Sequence, residues 1–144
     1  MKSLYRENFL VKTLTLRIYY EDTDFSGFVY HARYLHFFER ARTEALRDLG
    51  VDHRAMFEAE GGPFFFVVRR MEIDFRSPAR MDDIVTVETR VAERGAASLV
   101  MTQNLLRAET LLCSARVEIA HLANGKPRRF GPDLRSRLDL LANP

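Results

Sequence analysis

His31-Ala32-Arg33-Tyr34-Leu35-His36-Phe37-Phe38-Glu39-Arg40-Ala41-Arg42-Thr43-Glu44-Ala45-Leu46-Arg47-Asp48-Leu49 reads as one long helix. Tyr34, Leu35, Phe38, Ala41, Ala45, Leu46 and Leu49 recur mostly at spacings of three and four, which gathers them on one face. Arg33, Arg40, Glu44, Arg47 and Asp48 cover the other side, and Gly50 stands where a glycine commonly closes a helix. At ~1.5 Å per residue the segment is about 28 Å long. Its apolar face has to be buried, and the rest of the chain must supply the covering surface.

On the N-terminal side, Lys12 to Tyr20 alternates. Leu14, Leu16, Ile18 and Tyr20 share one face and Thr13, Thr15, Arg17 and Tyr19 the other, the pattern of a half-buried strand. Glu21-Asp22-Thr23-Asp24-Phe25-Ser26-Gly27 is polar and ends in glycine, hence a loop. On the C-terminal side a short helical turn is expected at Asp52–Ala59, and after Gly61-Gly62-Pro63 the pattern changes to strands. Phe64–Val68 is a continuous apolar run, and Met71, Ile73 and Phe75 alternate with charged residues. Further alternating sets follow at Val85–Val91, Leu99–Leu105 and Leu111–Ile119, with Gly125-Lys126-Pro127 ending the last. Pro132–Leu141 is a short amphipathic helix. A strand, a long helix and then a run of strands separated by short turns indicates an α+β fold with a mostly antiparallel sheet, the later strands forming a meander. Such a sheet would wrap around the single long helix, and its open edges favour self-association.

The chain has 144 residues, the size of a single domain spanning 1–144. It is 47% hydrophobic and 29% charged, ordinary for a globular protein. Twenty-two Lys and Arg against 20 Asp and Glu give a net charge of +2, which excludes a strongly basic nucleic-acid binder. The one cysteine, Cys113, excludes an intramolecular disulfide and a cysteine zinc cluster; on an apolar strand face it is expected to be a core thiol. There is no apolar run near 18 residues and no hydrophobic leader in Met1–Lys12, so the expected location is the cytoplasm, without a transmembrane segment.

Chemistry concentrates in the loop before the long helix, which holds three carboxylates in four positions. Asp22 and Asp24 are two apart, and in extended chain they would face the same way as Tyr20. Mutual repulsion would raise the pKa of one of them, whereas the helix N-terminus would lower it. The unpaired N–H groups of that terminus suit a developing oxyanion, and a carboxylate beside them can attack a carbonyl or draw a proton from water. The competing reading is that Asp22 and Asp24 simply cap a turn or the helix. His31, at the helix start, contributes a side chain and a backbone N–H. No histidine pair has metal-ligand spacing on a helix face, and no metal or cofactor is expected. Ser26 lacks the G-x-S-x-G elbow of a serine nucleophile, and there is no phosphate-binding glycine loop. Arg69, Arg70, Arg94, Arg107, Lys126, Arg128 and Arg129 are candidate phosphate contacts or solvated surface charge.

Tyr19-Tyr20-Glu21-Asp22-Thr23-Asp24, Gly27-Phe28-Val29-Tyr30-His31-Ala32-Arg33-Tyr34-Leu35 and Phe38-Glu39-Arg40-Ala41-Arg42-Thr43-Glu44 closely resemble the 4-hydroxybenzoyl-CoA thioesterase family. Within it the chain is most similar to acyl-CoA thioesterases associated with the Tol-Pal envelope system. Val67–Met71, Ser77–Asp83 and Arg94–Val100 extend the similarity over most of the chain. The resemblance implies a hot-dog fold, a long helix wrapped by a curved antiparallel sheet, assembled as homodimers or homotetramers with the site at the dimer interface. It implies hydrolysis of an acyl-CoA thioester to free acid and CoA. By position the catalytic carboxylate falls on Asp24, as nucleophile or general base. Tyr20 and His31 match the other motif residues, and the His31 N–H matches the oxyanion donor. Substrate contacts are implied at Gly27, Tyr30, Arg70, Arg94 and Ser98. The turn Arg94-Gly95-Ala96-Ala97-Ser98 carries one cation where aryl-CoA members carry a basic run. Three alternatives stand beside this reading. One is a carboxylate on the helix itself, Glu39 or Glu44. Another is a non-catalytic module that binds an acyl thioester or an acyl carrier protein, linked to envelope or phospholipid metabolism. The third, a dehydratase of the same fold, is not what the Tyr20 and His31 motif resembles.

Overall fold

The computed structural model describes residues 11–142. The segment 1–10, where no leader was expected, and residues 143–144, the outer end of the expected domain, lie outside the described residues. The alternation at the start gives strand β1 (Lys12–Arg17), with Leu14 and Leu16 half-buried. Ile18, fully buried, still exchanges backbone hydrogen bonds with Asp82 and Asp83. Beyond it the chain leaves the sheet in a 3-10 turn, Tyr20–Asp22. Tyr20 therefore does not share the inner face with Leu14 and Leu16, as the alternation suggested; it is 79% exposed.

Helix α1 (Arg33–Asp48) begins two residues later than its apolar pattern suggested. The preceding residues form a turn closed by Arg33 N–H donating to the Tyr30 carbonyl at 2.8 Å. Helix α2 (His53–Glu58) is capped by the Asp52 carboxylate, which accepts the Ala55 N–H at 3.0 Å. Strand β2 (Phe64–Phe75) joins what the sequence presented as two segments. Its register slips between Val68 and Arg70 against β5 (Thr110–Ala123), a bulge that changes the phase of the apolar residues. Strands β3 (Ile84–Arg94) and β4 (Ser98–Arg107) precede β5, and the turn at Asn124 and Gly125, both at positive φ, folds back into β6 (Lys126–Pro127). Helix α3 (Pro132–Ala142) closes the described chain.

All strand pairs are antiparallel, in the order β1-β3-β4-β5-β2, with β6 on β5. The meander expected of the later strands holds for β3 to β5, while β2 crosses to the far edge, so sequence neighbours β2 and β3 are not spatial neighbours. The fold is α+β, with a curled antiparallel sheet around one long helix. Tyr34, Phe37, Phe38, Ala41 and Leu46 of α1 pack in one core with Val85, Val87, Leu99, Met101, Leu105 and Val117 of the sheet. Leu138 and Leu141 of α3 join that core, and both oxygens of Asp139 hold Arg94 at the end of β3.

Phe38 is fully buried where helix and sheet meet. Phe38→Ala is expected to cost about 3–5 kcal/mol of unfolding free energy in urea titrations. Tyr20→Ala should change it by no more than about 0.5 kcal/mol. Equal losses would mean that α1 does not anchor the core.

Candidate active site

The loop between β1 and α1 is tied down along its length. Asp24 N–H donates to the Phe28 carbonyl at 3.0 Å and Gly27 N–H to the Asp24 carbonyl at 3.0 Å, a tight turn that Gly27 completes at φ +84°. Val29 N–H donates to the Ala79 carbonyl at 2.9 Å and Tyr30 N–H to the Asp22 carbonyl at 2.9 Å. Tyr34 reaches from α1 to accept the Ala79 N–H at 3.0 Å, and burial pushes its phenol pKa up. Helix start, acidic loop and the segment before β3 thus form one bonded corner.

The two aspartates, although only two residues apart, do different things. Asp22 is buried; its Oδ1 pairs with Arg33 Nε at 2.9 Å and its Oδ2 accepts the Tyr19 N–H at 2.8 Å. It latches the loop to the first turn of α1, the capping role weighed for both aspartates. Asp24 is exposed, and its Oδ1 accepts both the Ser26 N–H at 2.8 Å and the Ser26 hydroxyl. Its Oδ2 makes no hydrogen bond among the described residues. The Ser26 hydroxyl, then the Ser26 N–H and the nearby His31, hold the Asp24 carboxyl below its ordinary value. For Asp24 the net direction is downward, not the rise that carboxylate repulsion would give, and its largest cause is Ser26 rather than the helix N-terminus; Asp22 is turned inward onto Arg33.

Asp24 lines an open cavity of about 430 Å³ together with Glu21, Thr23, Tyr30, Ala32, Arg33 and His36. The N–H groups of His31 and Ala32, just ahead of α1, donate to no oxygen among the described residues. They are unpaired donors at the positive end of the helix, and Ala32 shares a cavity wall with Asp24, whose carboxylate stays ionised at neutral pH. The His31 ring is exposed and packs edge-on against Tyr30 and Phe75 at centroid distances of 4.7 and 6.3 Å. Of the residues singled out in the sequence, Asp24 and Tyr30 share the cavity wall, Gly27 shapes the loop, and Tyr20 and His31 flank it.

The other three stand apart in the single chain. Arg70 lies on β2, bonded to Glu72 at 2.9 Å and near Glu118 at 4.0 Å. Arg94 is held by Asp139 and the Gly95 carbonyl, and Ser98 opens β4 beside it. The Asp24 loop joins the sheet where β3 begins. Arg94 is ten residues along that strand, roughly 30 Å away at the usual rise. Cys113 is buried and its thiol is pushed up to about 12 by burial, so it is inert at neutral pH. No cluster of three or more metal-binding side chains occurs among the described residues. Sequence reasoning missed Ser26 as the partner of Asp24; an acid followed two residues later by serine is a signal of this local turn.

If Ser26 holds the charge on Asp24, the carboxyl observed by carbon-13 NMR should titrate below the ordinary 3.8. Ser26→Ala removes one of the two donors and should move the midpoint upward. An unchanged midpoint would assign the shift elsewhere.

Comparison with known proteins gives a consistent result. Residues 26–114 match the family model of the thioesterase superfamily. An acyl-CoA thioesterase YbgC of Haemophilus influenzae is 46% identical over 111 residues, covering 77% of this chain and 80% of that protein. The acyl-CoA thioester hydrolase YbgC of Escherichia coli O6:H1 is 45% identical over 103 residues, 71% of this chain and 75% of its own. The crystal structure of a probable thioesterase from Bartonella henselae superposes with a TM-score of 0.81 at 47% identity, covering 84% of this chain and 99% of that one.

Proposed function

The chain belongs to the thioesterase superfamily, and from that premise we propose that it hydrolyses an acyl-CoA thioester to the free carboxylic acid and CoA, with Asp24 as the initiating carboxylate. The observations that support the residue assignment are a free, ionised Asp24 Oδ2 and unpaired N–H donors at the helix entrance, with Asp24 and Ala32 lining one cavity. The names of the 45–46% identical relatives support the substrate class.

Two balanced routes use this arrangement. As a nucleophile, Oδ2 attacks the thioester carbon, the C–S bond breaks with its electrons leaving on sulfur, and water then hydrolyses the mixed anhydride. As a general base, the carboxylate takes a proton from a water whose oxygen attacks the same carbon, and the proton ends on the departing thiolate. In either route the His31 N–H stabilises the oxyanion. The donors that keep Asp24 ionised also weaken it as a base; bound substrate that displaces water raises its basicity again. Tyr30 on the cavity wall, with Tyr20 and the His31 ring beside it, orients the acyl thioester, and Gly27 keeps the loop in shape.

The active assembly in this reading is a homodimer or homotetramer in the cytoplasm, built as one domain per chain. The outer edge of β2 pairs with no strand among the described residues and exposes Val67, Val68 and Phe75. A two-fold axis across that edge reverses strand direction. It would carry Arg94, Ser98 and Arg70 of one copy to the Asp24 side of the other, where they would serve the substrate. An acyl carrier protein thioester is a second substrate of the same chemistry, supported by the exposed Lys126, Arg128 and Arg129, which have no ion-pair partner within 4.0 Å among the described residues.

Release of free thiol from short, long and aromatic acyl-CoAs tests the assignment. Asp24→Asn should lower kcat/KM by roughly 10²–10⁴. Equal rates in both proteins would remove Asp24 from the mechanism. No hydrolysis by the wild type, together with tight thioester binding, would favour the binding-module alternative.

A further inference from the structure

The nucleophilic route leaves one proton without an acceptor. While the acyl group is bonded to Asp24 Oδ2, that carboxylate cannot take a proton from the water that ends the cycle. A second base in the same cavity has to do so, and the side chains lining it are few.

Apart from Asp24 and Ala32, the wall offers Glu21, Thr23, Tyr30, Arg33 and His36. The Arg33 guanidinium is permanently protonated and pairs with Asp22 at 2.9 Å. The Thr23 hydroxyl donates to the Tyr20 carbonyl at 2.7 Å, and neither a threonine nor a tyrosine hydroxyl is a base of useful strength at neutral pH. Glu21 is a carboxylate, a weak base of the same class as Asp24 itself. His36 brings an imidazole, the type of side chain that changes charge nearest neutral pH and serves most often as a general base.

The other histidines are engaged. His31 packs its ring on Tyr30 and Phe75, His53 on Phe66, and His121 bonds the Arg128 carbonyl. His36 is exposed, and among the described residues its ring has no hydrogen-bond partner and stacks on no aromatic ring. The charged groups on either side of it are Glu21 and Asp24 of the loop and Arg33, Glu39, Arg40 and Glu44 of α1. None of them forms an ion pair with the ring among the described residues, so no fixed partner holds the imidazole in its protonated, non-basic form.

Position along the helix fits the task. His36 stands in the first turn of α1, four residues after Ala32, a rise of about 6 Å. Helical side chains lean toward the N-terminus and cover the turn before their own Cα. For His36 that turn carries the unpaired His31 and Ala32 N–H groups. The cavity of about 430 Å³ has room for a water beside an acyl group, since one water takes a ~30 Å³ share. The Ser26 donors that hold the Asp24 carboxyl low also make it a good leaving group from an anhydride.

We infer that His36 is the base of the second half-reaction, a catalytic residue of the hydrolysis assigned to this chain. This role rests on Asp24 acting as the nucleophile. Once the thiolate has left, a neutral ring nitrogen of His36 takes a proton from water. The oxygen of that water bonds to the acyl carbon of the Asp24 anhydride, the bond from that carbon to Oδ2 breaks, and its electron pair returns to the carboxylate. The imidazolium then gives its proton to the thiolate. One thioester and one water become one acid and one thiol.

The test follows thiol and free acid together by rapid mixing, using whichever of acetyl-, octanoyl- and benzoyl-CoA the wild type hydrolyses fastest. His36→Gln is expected to release one equivalent of thiol per chain at the wild-type rate and then to turn over roughly 10²–10⁴ more slowly, with acid lagging behind thiol. His36→Ala should behave alike, and added imidazole should restore its steady-state turnover without altering the burst, which lost packing would not produce. Thiol and acid released together by His36→Gln overturn the assignment, as does unchanged turnover. A burst seen in Glu21→Gln and not in His36→Gln gives the proton to Glu21 and overturns it too. Asp24→Asn separates the two layers. If it hydrolyses as fast as the wild type, the role of Asp24 fails and that of His36 with it. If it is slow while His36→Gln shows no burst, the role of His36 alone fails.

Discussion

The stripe of large side chains on α1 has to be kept from water, and everything else in the molecule is arranged around that need. Tyr34, Phe37, Phe38 and Leu46 are all buried, and side chains of this size each gain roughly 1.5–3 kcal/mol by leaving water. The sheet supplies the complementary surface by curling, with Val85, Val87, Leu99, Met101, Leu105 and Val117 turned toward the helix. Once the helix is seated, its N-terminus can lie only where β1 ends and β3 begins. The bond from Ala79 N–H to the Tyr34 hydroxyl ties helix and sheet at that corner.

The four-residue acidic stretch before α1 divides its work between two aspartates. Asp22 gives its charge to Arg33 and its second oxygen to a backbone N–H, and so is spent on holding the loop. Asp24 is left outside, with one oxygen fixed by Ser26 and the other free. An exposed carboxylate surrounded by donors remains charged over the whole physiological range, as attack on or beside a carbonyl requires. In the proposed mechanism, the unpaired donors ahead of α1 take the negative charge that such an attack generates.

A second polar device lies deeper. Gln103, buried among apolar neighbours, links α1 through Arg42 and the Phe38 carbonyl to Thr89 on β3. A glutamine amide satisfied on both sides fixes the position of helix against sheet in a way that aliphatic packing, tolerant of sliding, does not.

Much of this was written in the order of residues. Periods of two and of three to four located β1, α1, the strand run and the last helix, because each reflects which face meets water. The acidic loop and its helix were legible as a place for acyl chemistry, and the long motif around them pointed to the thioesterase family. What remained hidden was decided at long range. The bulge in β2 and its crossing to the far edge depend on pairing with β5, some fifty residues away in the chain. Asp22 and Asp24 look alike in sequence, and only the arrival of Arg33 beside one and of Ser26 beside the other separates them. Arg42 was placed on neither face of the helix by its pattern, and it is buried where it bonds Gln103 of the sheet. Local pattern determines which segments form and which faces seek burial. Ion-pair partners such as Arg33 for Asp22, cavities and strand order follow from three-dimensional proximity; of the site's contacts, the one between Asp24 and Ser26 is local enough for spacing along the chain to record it.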